Sequence, residues 1–286
     1  MENTMTSTLN GAVAVVTGAG GTLCSEIAKH LAAKGARVAL VGRSEEKLAA
    51  VAQVITAAGG VCKVAPGDVT DVSAMTTLAA ALRGDWGPCR FLINGAGGNQ
   101  LGAMTTQTAY EAGEGDPANP AHSTSFFGLD ADVLSSVLLT NTMGTVIPSQ
   151  LFGAQMAAAG GGAIINFASM NSYRPLSRVP AYAMSKAAIV NFTQWLAAYL
   201  APANIRVNAI APGFFINERS VKYLGSPETG LTSRGNNVMG HTPQKRFGQA
   251  CDLLGCVDWL LDDERSGFVT GITVPIDGGF LSTPGI

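Results

Sequence analysis

Short, unbroken apolar runs alternate along this chain with segments of helix length. Residues 12–17 precede a helical stretch over about 23–34, residues 37–41 precede one over roughly 45–58, and residues 61–65 precede one that begins after Asp71. Residues 91–94, 163–167, 205–210 and 272–276 continue the series. A strand that is apolar along its whole length, not at every second residue, is covered on both faces. Such strands alternating with helices predict an α/β fold, a doubly wound parallel sheet with helices on both faces. No break in composition divides the 286 residues, so they read as a single domain.

Composition narrows the function. Charged residues make up 13% of the chain, about half the usual share, and the apolar 47% suffices for a large core. A net charge of −2 with no basic tract argues against a nucleic-acid partner. The polar start Met1-Glu2-Asn3-Thr4 lacks the pattern of a signal peptide, and no apolar run approaches membrane-spanning length. The five cysteines are scattered without a C-x-x-C pair and read as reduced residues of a cytoplasmic protein. Cys251 and Cys256 have no histidines at ligand spacing, so no metal is expected.

Two motifs carry chemistry. The first strand-to-helix junction reads Thr17-Gly18-Ala19-Gly20-Gly21-Thr22-Leu23-Cys24. Glycines at such a junction let the backbone turn tightly and bring the N–H groups of the helix start up to a pyrophosphate. The second motif combines Ser169, at the end of the apolar run 163–167, with Tyr182 and Lys186. Tyr182 and Lys186 are four apart and share one helix face. A hydroxyl, a phenol and an ammonium so placed can move a proton to or from an alcohol or carbonyl oxygen. A free phenol titrates near 10, and a cation one turn away is expected to pull that value down.

Together these residues resemble the short-chain dehydrogenase/reductase family over nearly the whole chain. The family's Ser–Tyr–Lys triad matches Ser169, Tyr182 and Lys186, and its Asn-x-Ala-Gly motif matches Asn94-Gly95-Ala96-Gly97. Asp68-Val69 fits the pair that frames the adenine, Asn141 the residue that completes the proton relay, and Pro212-Gly213 the turn beside the nicotinamide. The resemblance implies a Rossmann-type fold, a nicotinamide cofactor and a homotetramer. The cofactor contacts it implies fall on Gly18, Gly20, Gly21, Thr22, Leu23, Arg43, Ser44, Asp68, Val69, Asn94, Ala96, Gly97, Tyr182, Lys186, Pro212 and Gly213. Thr22 and Cys24 replace the last two glycines of the family's T-G-x-x-x-G-x-G turn, and Asn217 stands where many relatives carry Thr. Both departures bear on how the cofactor is placed.

Cofactor choice turns on the end of the second strand, where an acidic residue would hold a ribose 2′-hydroxyl. Gly42 stands there, followed by Arg43 and Ser44. A guanidinium pairs with a 2′-phosphate that a carboxylate would repel. NADP(H) is therefore the expected cofactor, with NAD(H), on whose adenine Arg43 would stack, as the alternative.

Substrate choice must come from the irregular segments. Between Asn94 and Asn141 lie 46 residues, and the excess over about 99–128 reads as a lid or a surface insertion. The variable segment 214–247 holds Arg219, Lys222, Arg234, His241, Lys245 and Arg246, which suit an anionic substrate or are ordinary solvated charge. Gly97–Asn99, Ala168–Asn171, 192–196, 211–215 and 241–243 resemble the sugar-acid branch of the family, that of D-mannonate oxidoreductases (fructuronate reductases) and gluconate 5-dehydrogenases. That resemblance makes Asn99, Asn171 and His241 candidate polyol contacts. Arg174 or Arg234 is the candidate for the carboxylate, with Arg174 packing against the lid as the alternative. A 3-oxoacyl thioester or other carbonyl reductase would have a more apolar pocket. A non-catalytic nicotinamide-binding sensor would need no proton relay.

Overall fold

The computed structural model describes residues 8–226 and 229–282; the side chains of Glu218 and Arg219 lie outside the described ones. Six strands, β1 (Val13–Thr17), β2 (Arg37–Gly42), β3 (Val61–Pro66), β4 (Phe91–Asn94), β5 (Gly162–Phe167) and β6 (Ile205–Pro212), are followed by the hairpin β7 (Gly225–Ser226) and β8 (Gly230–Leu231) and by β9 (Thr273–Ile276). The helices are α1 (Thr22–Ala33), α2 (Glu45–Ala57), α3 (Val72–Trp86), α4 (Ala131–Ala158), α5 (Pro180–Leu200), α6 (Glu218–Leu224), α7 (Ser233–His241) and α8 (Leu254–Leu261), with a last turn at Asp263–Ser266. The central sheet runs β3-β2-β1-β4-β5-β6-β9, all parallel. The expected strands and the doubly wound α/β sheet are present; β9 starts one residue later than 272–276.

Alternation of side chains along each strand explains the two layers. Phe91 and Ile93 of β4 and Ile165 of β5 face the cluster built by Ile27 and Leu31 of α1, Leu48 of α2 and Leu260 of α8. Leu92 and Ile164 face the opposite cluster with Met75 of α3, Phe152 and Met156 of α4, and Leu196 of α5. Each such fully buried side chain contributes about 1.5–3 kcal/mol from leaving water. The chain order reverses between β1 and β4, so their C-terminal loops diverge and open a crevice there.

The insertion is not a featureless loop. It folds as three short 3-10 turns, Leu101–Ala103, Pro120–Thr124 and Phe126–Gly128, before α4 begins. Thr106 N–H donates to the Thr124 carbonyl (3.0 Å), and His122 Nδ1 bonds the Glu114 carbonyl (2.8 Å). The segment 214–247 likewise contains α6, the β7–β8 hairpin and α7. Among the described residues no helix is long and apolar enough to cross a membrane.

Candidate active site

One wall of the crevice is made of backbone. Thr17 Oγ1 accepts from the N–H groups of Gly95 and Ala96 (both 3.1 Å), tying the loop after β1 to the loop after β4. Gly18 has φ +69°, and a Cβ there would lie 2.8 Å from the Gly95 carbonyl oxygen, so both dihedral and space require glycine. Gly21 precedes α1 in extended conformation and gives the helix no side-chain cap. By contrast α2, α3, α4 and α7 begin on Ser44, Asp71, Asp130 and Thr232, each of which accepts a helix N–H. The head of α1 thus keeps its first N–H groups for an external anion, with Gly20, Thr22 and Leu23 beside it. The residues present fit the diphosphate of a dinucleotide.

The substitution of Cys24 for the family's glycine does not crowd that wall. Cys24 is buried, and its Sγ occupies the space a side chain at Gly95 would fill. Burial pushes its thiol up to about 12. Asn217 bonds within its own turn, where its Oδ1 accepts the Ser220 N–H (3.0 Å) at the head of α6.

Three expected cofactor ligands have other duties. Ser44 caps α2 by accepting Lys47 N–H (3.4 Å). Asn94 is 1% exposed and lies beneath the loop, with Nδ2 donating to Ser149 Oγ and Asn166 Oδ1 (2.9 Å each). Val69 is buried under α4, where Gly144 leaves it room. Arg43 is exposed at the end of β2, and its charge reaches Asp68. The Thr70 hydroxyl (2.7 Å) and N–H (2.8 Å), and then Arg43, hold the Asp68 carboxyl below its ordinary value. Ala96 and Gly97 follow β4; a Cβ at Gly97 would collide with Asn141 Oδ1. Pro212 ends β6, and Gly213 N–H donates to Ile276 O (2.9 Å).

The proton-transfer set is assembled at the end of β5. The Ser169 side chain lies within electrostatic reach of the Tyr182 phenol, and Lys186 Nζ sits 5.7 Å from the centre of the Tyr182 ring. Lys186 is 5% exposed and donates to the Phe167 carbonyl (2.6 Å). Burial pushes the lysine down to about 8. It also holds the Tyr182 phenol above its ordinary value, against the smaller lowering effect of Ser169. The expectation that Lys186 draws the phenol down is therefore corrected for this state: desolvation outweighs the distant ammonium.

Asn141 is wholly buried in α4. Its Nδ2 donates to the carbonyls of Val137 and Gly98 (2.8 Å each), and its Oδ1 accepts Gly98 N–H (3.0 Å). Its visible task is to fix the loop that enters the insertion. Asn171 also differs from the polyol contact expected of it. Its N–H (3.2 Å) and Nδ2 (3.5 Å) donate to Ser169 Oγ, and its Oδ1 accepts Leu176 N–H (2.9 Å), so it orients the serine.

The remaining substrate candidates separate. Asn99 has a buried Oδ1 without a hydrogen-bond partner. Arg234, in the first turn of α7, is half-buried, and its guanidinium lies within electrostatic reach of Arg178. Arg174 is exposed on the loop after Asn171. His241 is exposed at the far end of α7, its Nδ1 on the Asn237 carbonyl (2.8 Å), and no bond joins it to the triad among the described residues. Arg178, four residues before Tyr182 on the loop after Asn171, is marked by no sequence motif, and its Nε donates to the Thr105 carbonyl (2.7 Å).

Comparison with known proteins agrees with this construction. Residues 12–222 match the model of the short chain dehydrogenase family. An uncharacterized Bacillus subtilis (strain 168) oxidoreductase, UxuB, is 44% identical over 97% of this chain and 98% of its own length. Galactitol 2-dehydrogenase (L-tagatose-forming) of Cereibacter sphaeroides is 34% identical, over 95% and 96%. A crystal structure from Haemophilus influenza with bound NAD, of a protein proposed to be a D-mannonate oxidoreductase, superposes with TM-score 0.91 at 38% identity, covering 98% of both chains. This chain belongs to the short-chain dehydrogenase family of oxidoreductases.

Proposed function

We propose that the protein interconverts a secondary alcohol and a ketone on a sugar acid of the D-mannonate/D-fructuronate or gluconate type, with a nicotinamide cofactor. The observation that carries the reaction class is the placing of Tyr182 on α5 with the buried Lys186 Nζ 5.7 Å from its ring centre, its phenol within electrostatic reach of Ser169 at the end of β5. When bound, the nicotinamide supplies or accepts the hydride. The protein's own groups handle the proton. With its phenol neutral, Tyr182 donates to the oxygen of the ketone being reduced; as phenolate it takes the proton of the alcohol being oxidised. Ser169 donates a hydrogen bond to the same oxygen and steadies the charge that develops there. Lys186, by losing or gaining a proton near pH 8, tunes the phenol, and Asn141 anchors the relay to solvent.

The polyol reading is supported by the orphaned Asn99 Oδ1, a buried acceptor that a substrate hydroxyl would satisfy. An acyl thioester or simple ketone offers no such donor. NADP(H) is the favoured cofactor, because Arg43 follows Gly42 with no carboxylate at that position, and NAD(H) is the alternative. The protein works in the cytoplasm as a homotetramer. Replacement of Tyr182 by Phe is the test. Turnover should vanish while cofactor binding, followed by quenching of tryptophan fluorescence, persists; near-wild-type turnover in that variant contradicts the assignment and favours a sensor.

A further inference from the structure

The catalytic hydroxyl and the phenol–ammonium pair stand on different elements, so their spacing must be set by contacts between those elements. Ser169 follows the end of β5, while Tyr182 and Lys186 stand on α5. The covalent path from one to the other runs through residues 173–179, of which Tyr173, Arg174, Pro175 and Ser177 are exposed. A path outside the core leaves that spacing loose. Two hydrogen bonds cross the gap directly. Lys186 Nζ donates to the Phe167 carbonyl (2.6 Å). Ser172 Oγ donates to the Lys186 carbonyl (2.6 Å) and accepts the Ser169 N–H (3.3 Å). Ser172 reaches this place because the chain after Ser169 enters the 3-10 turn Met170–Ser172, which Ser169 itself caps by accepting the Asn171 N–H (3.2 Å).

The two bonds differ in kind. The first is made by the ammonium that takes part in proton transfer, so it changes as that group gains or loses a proton. The second joins main chain to main chain through a hydroxyl that keeps its proton throughout. Linked as N–H···O–H···O, its two halves polarise and strengthen one another. From this bridge and the exposed covalent path, we infer that Ser172 is a positioning residue for the reaction. It sets the separation of Ser169 Oγ from the Tyr182 phenol and holds it while Lys186 changes its own bonds. The reacting oxygen must lie within hydrogen-bond reach of hydroxyl and phenol together, so an error of about 1 Å in that separation costs on the order of 100-fold in rate. The inference rests on the triad reading above and is the same for any alcohol or ketone the triad accepts.

The test is the crystal structure and kinetics of Ser172→Ala and Ser172→Thr beside wild type. The substrate is the one wild type turns over fastest among D-fructuronate, D-mannonate, cyclohexanone and an acetoacetyl thioester. In Ser172→Ala the distance from Ser169 Oγ to Tyr182 Oη should change by about 0.5–1 Å, and kcat should fall about 10- to 100-fold while the cofactor KM changes less than about twofold. Ser172→Thr keeps the hydroxyl and should restore both the distance and most of kcat. Ser172→Cys keeps the volume with a weaker bond and takes the place of Ser172→Ala if that variant does not fold. An unchanged distance in Ser172→Ala, which is read without any substrate, overturns the inference. So does a loss of kcat that Ser172→Thr shares in full, or a lowered melting temperature with kcat unchanged, since the bond would then serve stability alone. Tyr182→Phe in the same assay keeps the two readings apart: turnover that survives there contradicts the triad, whatever Ser172 does.

Discussion

The two walls of the crevice are made of different materials. The cofactor wall consists of backbone: the turn at Gly18, the uncapped head of α1, and the Gly95 and Ala96 N–H groups that Thr17 holds in place. The wall toward the insertion depends instead on contacts between distant segments: Arg178 Nε donates to the Thr105 carbonyl, and Asn141 bonds both backbone groups of Gly98. Backbone geometry is enforced over a few contiguous residues, so it leaves a compact motif. Contacts such as 105 with 178 and 98 with 141 leave none. The comparison also separates what mutations do: changes to the first wall should act on stability and cofactor binding, changes to the second on substrate discrimination.

Lys186 joins the two walls and should show the largest effect. Its replacement by Met should abolish turnover yet stabilise the cofactor-free protein. The folded protein holds this lysine near 8, below the ordinary 10.5, so the unfolded chain binds the proton more tightly. The resulting penalty is fully present below about pH 8, shrinks as pH rises from 8 toward 10.5, and is gone above that. Removing the charge should therefore gain on the order of 3 kcal/mol at pH 7 by chemical denaturation, and less at pH 10. Equal stability of variant and wild type at pH 7 would show that the ammonium is better solvated than its surroundings suggest.

A smaller effect probes the backbone wall. Gly95→Ala should destabilise by about 1–3 kcal/mol, because the new Cβ collides with Cys24 Sγ. Adding Cys24→Gly should recover most of that loss, whereas two independent sites would give additive losses. The smallest expected effect concerns the adenine end. Arg43→Ser should lower kcat/KM with NADP(H) about tenfold and leave NAD(H) nearly unaffected, since only the former carries a phosphate for the guanidinium. An equal loss with both would mean that Arg43 stacks on adenine instead.

Legibility in the sequence followed the same division. The parallel sheet, the glycine-rich turn and the positions of Ser169, Tyr182 and Lys186 could be read from apolar runs and spacing, because each depends on local periodicity. The duties of Ser44, Asn94 and Asn171 could not. Ser44 caps a helix, Asn94 bonds beneath a loop, and Asn171 orients Ser169, and each of those partners is fixed by the packed structure. The direction of the Tyr182 shift was hidden for the same reason, since desolvation depends on what surrounds the ring and not on the spacing to Lys186. Arg178 is the clearest case: its hydrogen-bond partner is Thr105, 73 positions away in the chain.

The central claim is that a dehydrogenase triad acts here on a polar, anionic polyol. The most direct measurement is the change in absorbance at 340 nm when the purified protein meets a panel of hexonates and ketohexonates, simple ketones and acetoacetyl thioesters, with each nicotinamide cofactor. The account predicts turnover of at least one sugar acid at a kcat/KM well above that of any ketone or thioester. Activity on simple ketones or acetoacetyl thioesters with none on a sugar acid would contradict it.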